Sequence, residues 1–227
     1  IPITQALLTN HNRPKFKLKK LKGIVIHWTA NTNPGANALA NRNYFNTTKN
    51  SCSAHYVVDD YRIIQCIPDD EVAYHVGAKS YTAIGQAMRE GSYSPNYYTI
   101  GIEMCVNSDG DWNKTYRNMV ELVVYLLSKY DVPLYRHYDI TGKDCPKMMI
   151  DQDAWTDFKE AVKPTTWKDI VRLKLSDPEG WINDIEAMVK AAEAEGNQGI
   201  YERLKYLPTL IEKIYRFLQQ ARAKEVV

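Results

Sequence analysis

Apolar residues recur along the chain in two rhythms, and each predicts a different element. "LKGIVIHW", from Leu21 to Trp28, is a short β-branched run behind a glycine and predicts a buried strand. "NPGANALANRNYFNTT" predicts a helix, with Asn33 as cap, Pro34 in the first turn and Leu39 packing inward among alanines. "SAHYVVDDYRIIQCIP" holds two β-rich runs around a polar "DDY" turn, a hairpin stopped by Pro68. "YYTIGIEMCV" is another buried strand. "NKTYRNMVELVVYLLSKY" follows the 3.6-residue period, with Tyr116, Met119, Val120, Val123 and Leu127 on one side. Pro133 leads into a short strand, "LYRHY", and "DQDAWTDFKEAV" predicts a helix capped near Asp151. Strands alternating with helices, one hairpin included, predict an α/β domain over residues 1–162, a mixed β-sheet flanked by helices.

Beyond this point the strand signal stops. "KPTT", residues 163–166, reads as a linker, and residues 167–227 read as a small C-terminal helical domain. Trp181, Ile182, Ile185, Met188, Val189 and Ala192 form one apolar stripe. Leu210, Ile211, Ile214 and Phe217 form a second, past a break at Pro208.

Composition narrows the function classes. The chain has 227 residues, 44% hydrophobic and 25% charged, with a net charge of +2. No strong basic field calls for nucleic acid, and "KFKLKKLKG" at Lys15–Gly23 reads as a solvated lead-in to a strand. No apolar run reaches the length of a membrane span, so no membrane insertion is expected. The opening "IPITQALLTNHNRP" lacks a basic start followed by an apolar core, so no export signal is visible. The four cysteines contain no C-x-x-C pair; Cys52, Cys66 and Cys105 fall in strand-like runs and read as small buried apolar residues.

The candidate chemistry lies in "LYRHYDITGKDCPK", where His137 and Cys145 stand eight positions apart. The pair reads as a nucleophile and its base, as two ligands of one metal, or as a loop histidine beside a buried thiol. A catalytic zinc takes three protein ligands and leaves a fourth position to water. His27, at the C-terminal end of a buried strand, is a candidate third ligand, because open α/β sheets place their sites there. Glu103 sits in an otherwise core-like strand, where a carboxylate is costly unless paired or functional. Beside an activated water it would take and return a proton. Lys143 offers a cation for a developing oxyanion, and Asp139 offers a carboxylate to orient a ligand histidine.

Five segments, in order, resemble the zinc-dependent N-acetylmuramoyl-L-alanine amidases of the phage lysozyme and peptidoglycan-recognition-protein type. They are "IVIHWTA", "SAHYVVDD", "AYHVG", "YTIGIEMC" and "RHYDITGKDCP". The resemblance spans Gly23 to Val162 and is nearest to endolysins and autolysins of Gram-positive bacteria and their phages. It implies zinc (Zn2+) held by His27, His137 and Cys145, Glu103 as general base and then acid, and Lys143 as oxyanion stabiliser. The implied substrate is bacterial peptidoglycan, cut between N-acetylmuramic acid and L-alanine. Some members carry a catalytic tyrosine where this chain has Ala54, and those tend to lack the glutamate. Proton transfer here is therefore expected to rest on Glu103, with Tyr56 the alternative to test.

His55, His75 and Trp28 are assigned to the wall of the substrate groove. The competing readings make His55 a hairpin packing residue, His75 a loop anchor and Trp28 a strand-end packing residue. The resemblance also implies a wall-binding role for residues 167–227, set against a helical extension that only packs or dimerises. The oligomeric state is left open, a monomer being one possibility, and the protein is expected to stay in the host cytoplasm until lysis. Two rivals to the amidase remain, a cysteine peptidase using Cys145 and a non-catalytic peptidoglycan-binding module.

Overall fold

The computed structural model describes residues 3–163 and a few isolated positions beyond them. The chain divides into two compact units, Ile1–Pro164 and Thr165–Val227. The linker and the helices expected over residues 163–227 lie almost wholly outside the described residues.

In the first unit, six strands form one mixed sheet: β1 (Ile3–Gln5), β2 (Gly23–Trp28), β3 (Tyr56–Val58), β4 (Ile63–Gln65), β5 (Thr99–Met104) and β6 (Leu134–Arg136). Their spatial order is β1-β4-β3-β5-β2-β6. Only the β3–β4 hairpin pairs antiparallel; the other neighbours run parallel. The helices are α1 (Ala38–Thr47), α2 (Ala83–Met88), α3 (Trp112–Lys129), α4 (His137–Thr141) and α5 (Gln152–Ala161). The expected mixed sheet with flanking helices is therefore the fold of this unit.

Strand alternation sorts the side chains onto two faces. Ile24, Ile26, Tyr56, Val58, Ile100, Ile102 and Met104 bury one face against α3 and α5, through Met119, Leu122, Val123, Leu126, Trp155 and Phe158. On the other face, Val57 and Ile64 pack with Ala38 and Phe45 of α1. There too Val25 packs with Met88 of α2 and Ile140 of α4. Both faces of β2 and β5 are thus covered, which is why those strands read as nearly continuous apolar runs.

The chain leaves β2 through α1 to reach β3, and leaves β5 through α3 to reach β6. These crossovers lie on opposite faces and run in opposite directions. The crevice beyond the C-terminal ends of β2 and β5 is therefore a topological switch point, where open α/β sheets bind ligands.

Several local expectations shift. Helix α1 starts at Ala38 with Asn37 as its cap, and the Asn37 side chain accepts from the Ala40 N–H. Asn33 lies earlier, before Gly35, which takes a positive φ of 78° that ends any helical path. Leu39 points outward, 41% exposed, while its neighbour Ala38 is buried. The α3 stripe is centred on Met119, Leu122, Val123 and Leu126, with Tyr116, Val120 and Leu127 at its margin. The "LYRHY" strand ends at Arg136, and His137 opens α4 instead.

Candidate metal centre

His27 is the penultimate residue of β2 and Glu103 that of β5. The parallel register sets them directly opposite each other. Their side chains therefore share the sheet face that carries α1, α2 and α4.

The third and fourth groups arrive from α4 and the loop behind it. Asp139 accepts from the Arg136 N–H at 2.8 Å, capping α4, and its other oxygen takes the Arg136 guanidinium at 2.7 Å. The same guanidinium donates to the carbonyls of Met149 and Ile150, at 3.0 and 3.1 Å. Gly142 ends α4 with φ +79°, a left-handed turn that costs little at glycine. The chain then doubles back, and the Tyr138 N–H donates to the Cys145 carbonyl at 2.9 Å. These bonds fold the eight-residue spacing so that His137 and Cys145 face the same point. Asp139 therefore serves Arg136 and the helix start, not a histidine ring as its position suggested.

His27, His137 and Cys145 are all buried, and their ligand atoms lie within 4.8 Å of one another. His27 Nδ1 is 3.1 Å from His137 Nδ1 and 3.8 Å from Cys145 Sγ. Burial, with the Lys143 charge adding to it, pushes the His137 imidazole down to about 4. His27 is held well below its ordinary value by burial and then by its histidine neighbours. Both rings are thus neutral at pH 7, the form that offers a lone pair to a metal. Burial pushes the Cys145 thiol up to about 12, with Glu103 reinforcing the shift and the Trp28 N–H and Lys143 opposing it. A thiol so disfavoured as an anion is a poor nucleophile by itself, which weakens the cysteine-peptidase reading. Bound to a cation it ionises readily.

Glu103 Oε2 is shielded from solvent and has no hydrogen-bond partner among the described residues. Burial raises this carboxyl to about 8, against the pull of Lys143. Lys143 itself is exposed on the loop between α4 and Cys145. Trp28 is half-buried at the end of β2.

Two residues assigned to the groove wall lie inside instead. His55 is fully buried, its Nδ1 accepting from the Gly101 N–H at 3.0 Å and its Nε2–H donating to the Glu71 carbonyl at 2.8 Å. It is a packing residue of the hairpin. His75 is 9% exposed, with Nδ1 3.0 Å from His27 Nε2 and Nε2 3.3 Å from the Thr99 carbonyl. Both ring nitrogens are engaged within the protein, so it contacts His27 rather than a substrate. Tyr56 is excluded as a substitute for Glu103. It lies in register with Ile102 on the opposite face, and its hydroxyl donates to Asp69. Cys66 and Cys105 are buried, Cys52 partly so, and none of them joins the cluster. Asn96, Thr99, Gly101 and Arg136 support the site without having been singled out in the sequence. The one available signal was Gly101, a glycine inside an apolar strand, which marks a close approach.

Two neutral imidazoles and a thiol meet at the sheet's switch point beside a lone buried carboxyl group, a donor set able to hold a metal ion. A family model described as N-acetylmuramoyl-L-alanine amidase matches residues 17–148, and the chain belongs to that family. It is 43% identical over 149 residues to a Bacillus licheniformis protein described as "Probable N-acetylmuramoyl-L-alanine amidase", covering 61% of this chain and 40% of that one. The solved catalytic domain of XlyA matches with a TM-score of 0.61 at 32% identity, covering 72% of this chain and 100% of that one. A mutant endolysin from Bacillus subtilis also matches at 0.61 and 32%, covering 72% and 99%. This chain spans less than half the length of the B. licheniformis relative.

Proposed function

We propose that this protein is a zinc-dependent N-acetylmuramoyl-L-alanine amidase that cleaves bacterial peptidoglycan as a phage endolysin does. The observation that carries the reading is the convergence of His27, His137 and Cys145 beside the unpartnered Oε2 of Glu103. The donor set suits zinc. Tetrahedral zinc with ordinary bond lengths separates two nitrogens by about 3.3 Å and a nitrogen from a sulfur by about 3.6 Å. The corresponding distances here are 3.1 and 3.8 Å. An orphaned buried carboxylate oxygen also fits a site built around a positive charge and a reacting water.

A zinc ion held by these three residues would supply Lewis acidity, bringing water towards ionisation at neutral pH and polarising an amide carbonyl. The protein's own groups do the rest. Glu103, whose carboxyl the positive charge of a bound zinc would return towards its ionised form, takes at Oε2 the proton of the water that attacks the lactyl carbonyl carbon. Lys143 stabilises the negative charge that develops on the carbonyl oxygen. The carbon–nitrogen bond then breaks, and Glu103 returns its proton to the departing L-alanine nitrogen. The products are a muramic acid lactyl carboxylate and a new L-alanine amine.

Digestion of purified peptidoglycan with mass analysis of the fragments tests this reading. The expected products are stem peptides beginning with a free L-alanine amine and glycan strands with intact sugar linkages. Release of reducing sugars, or cleavage within the stem, would replace the assignment.

A further inference from the structure

The contacts beneath His27 fix more than its position. The Thr99 carbonyl can only accept a hydrogen bond, and it lies 3.3 Å from His75 Nε2. The Thr99 hydroxyl donates to the Pro95 carbonyl at 2.9 Å, so its oxygen accepts where it meets His75 Nε2 at 3.2 Å. His75 Nε2 therefore carries the proton. In a neutral ring that leaves His75 Nδ1 bare, and Nδ1 faces His27 Nε2 at 3.0 Å. The proton of this contact must then sit on His27 Nε2. His27 Nδ1 is left as a lone pair, and Nδ1 is the atom that faces His137 and Cys145.

The surroundings hold His75 in this pose. Asn96 Oδ1 accepts from the N–H groups of His75 and Val76, at 3.1 and 2.8 Å. The His75 ring lies against the backbone of β5 at Gly101, where an added Cβ would come within 2.4 Å of His75 Nδ1. The edge of His55 closes the far side, with ring centroids 5.8 Å apart. Glycine at 101 is thus the condition for an imidazole to lie there.

We infer that His75 is a positioning residue: it relays the fixed acceptor of the Thr99 carbonyl to His27 and so locks His27 in the tautomer that presents Nδ1 to the metal. The inference rests on the zinc amidase reading. Partners that hold a ligand histidine in this way are commonly worth about 10–100-fold in metal affinity.

The test uses the full chain in metal-free and zinc-loaded forms. Nitrogen-resolved NMR of the histidine rings in the metal-free wild type is expected to find the His27 proton on Nε2; a proton on Nδ1 overturns the inference whatever the variants do. Zinc affinity is measured by competition against a chelator. His75→Phe keeps the ring but loses the acceptor, and is expected to bind zinc about 10–100-fold more weakly. His75→Asn places an acceptor oxygen near the Nδ1 position and is expected to recover most of that loss. Wild-type affinity in His75→Phe, or an Asn variant no better than Phe, removes the relay. Should the Phe variant fail to fold, the wild-type NMR result and the Asn variant decide. A wild type that binds no zinc in the same titration defeats the amidase reading itself, which separates the two failures.

Discussion

Glu103 holds a carboxylate oxygen with no partner among the described residues, at a position where the opposite strand supplies His27. Replacing it with Gln keeps the shape and removes the base. Glu103→Gln is expected to retain zinc and to lose about 10²–10⁴ in turnover on muropeptides. Metal content and rate measured on the same preparation check this, and near-normal turnover would move proton transfer to another group. The carboxyl also leaves a mark on stability. Its value of about 8 in the fold lies above the ordinary 4.5. Between these two values the folded chain binds the extra proton, so stability contributed by Glu103 falls as pH rises. The buried histidines act in the opposite sense and lower down. His55 and His137 are depressed to about 4, so their contribution is present above the ordinary 6.5 and is lost as pH falls through about 4. Between about pH 6.5 and 8 the Glu103 contribution therefore stands apart from that of these histidines. Metal-free wild type should lose about 1 kcal/mol per pH unit there relative to Glu103→Gln, the slope easing as pH approaches 8. Parallel denaturation curves for the two proteins at pH 6.5, 7 and 8 would contradict it. Cys145→Ala removes one of the three proposed ligands and is expected to lose most of the bound zinc. Full occupancy in a metal assay would sink the ligand assignment.

Helix α4 has five residues, too few to be stable alone. Its place is set by the Arg136–Asp139 pair, whose side chains are 8% and 15% exposed. Asp139→Ala would leave a mostly buried guanidinium without its counter-charge and α4 without its cap. The expected result is a loss of about 3 kcal/mol in stability together with weaker zinc binding, because His137 begins that helix. Chemical denaturation and a zinc titration read the two effects; unchanged zinc affinity would show that α4 is held by other contacts. At this scale the sequence was readable wherever one rhythm ran long. The 18-residue α3 and the β2 and β5 runs stood out because burial of a face demands a repeat. Short elements gave no such repeat. Ala38 is buried and Leu39 exposed because the start of α1, and hence its phase, depends on which asparagine caps it. The β1 strand of three residues carries no pattern of its own and exists because β4 offers it an edge.

For the molecule as a whole, we propose that residues 165–227 bring the amidase to the cell wall. Tethering to an insoluble substrate raises the local concentration of the catalytic unit. Residues 1–164 expressed alone should hold zinc and cleave soluble muropeptides at the full-length rate, but act more slowly on intact sacculi. A reporter fused to residues 165–227 should decorate those sacculi. Undecorated sacculi together with an unfolded short form would make the segment a structural extension. The sequence by itself determined the α/β class, the order of the long elements and the residue types able to hold a metal. These follow from local periodicity and from the cost of placing a carboxylate or an imidazole in an apolar run. Tertiary structure alone decided that His75 meets His27 and how the ligand histidines are brought side by side. His137 comes beside His27 where the end of β2 pairs with β6, His75 reaches His27 from a loop, and the doubling back after α4 adds Cys145. It also decided that His55 and His75 face inward and that Tyr56 lies behind the sheet. The face Tyr56 occupies is set by the pairing of β3 with β5, and a shift of one residue would reverse it, whereas His55 and His75 lie outside the strands and are fixed by hydrogen bonds to segments distant in sequence.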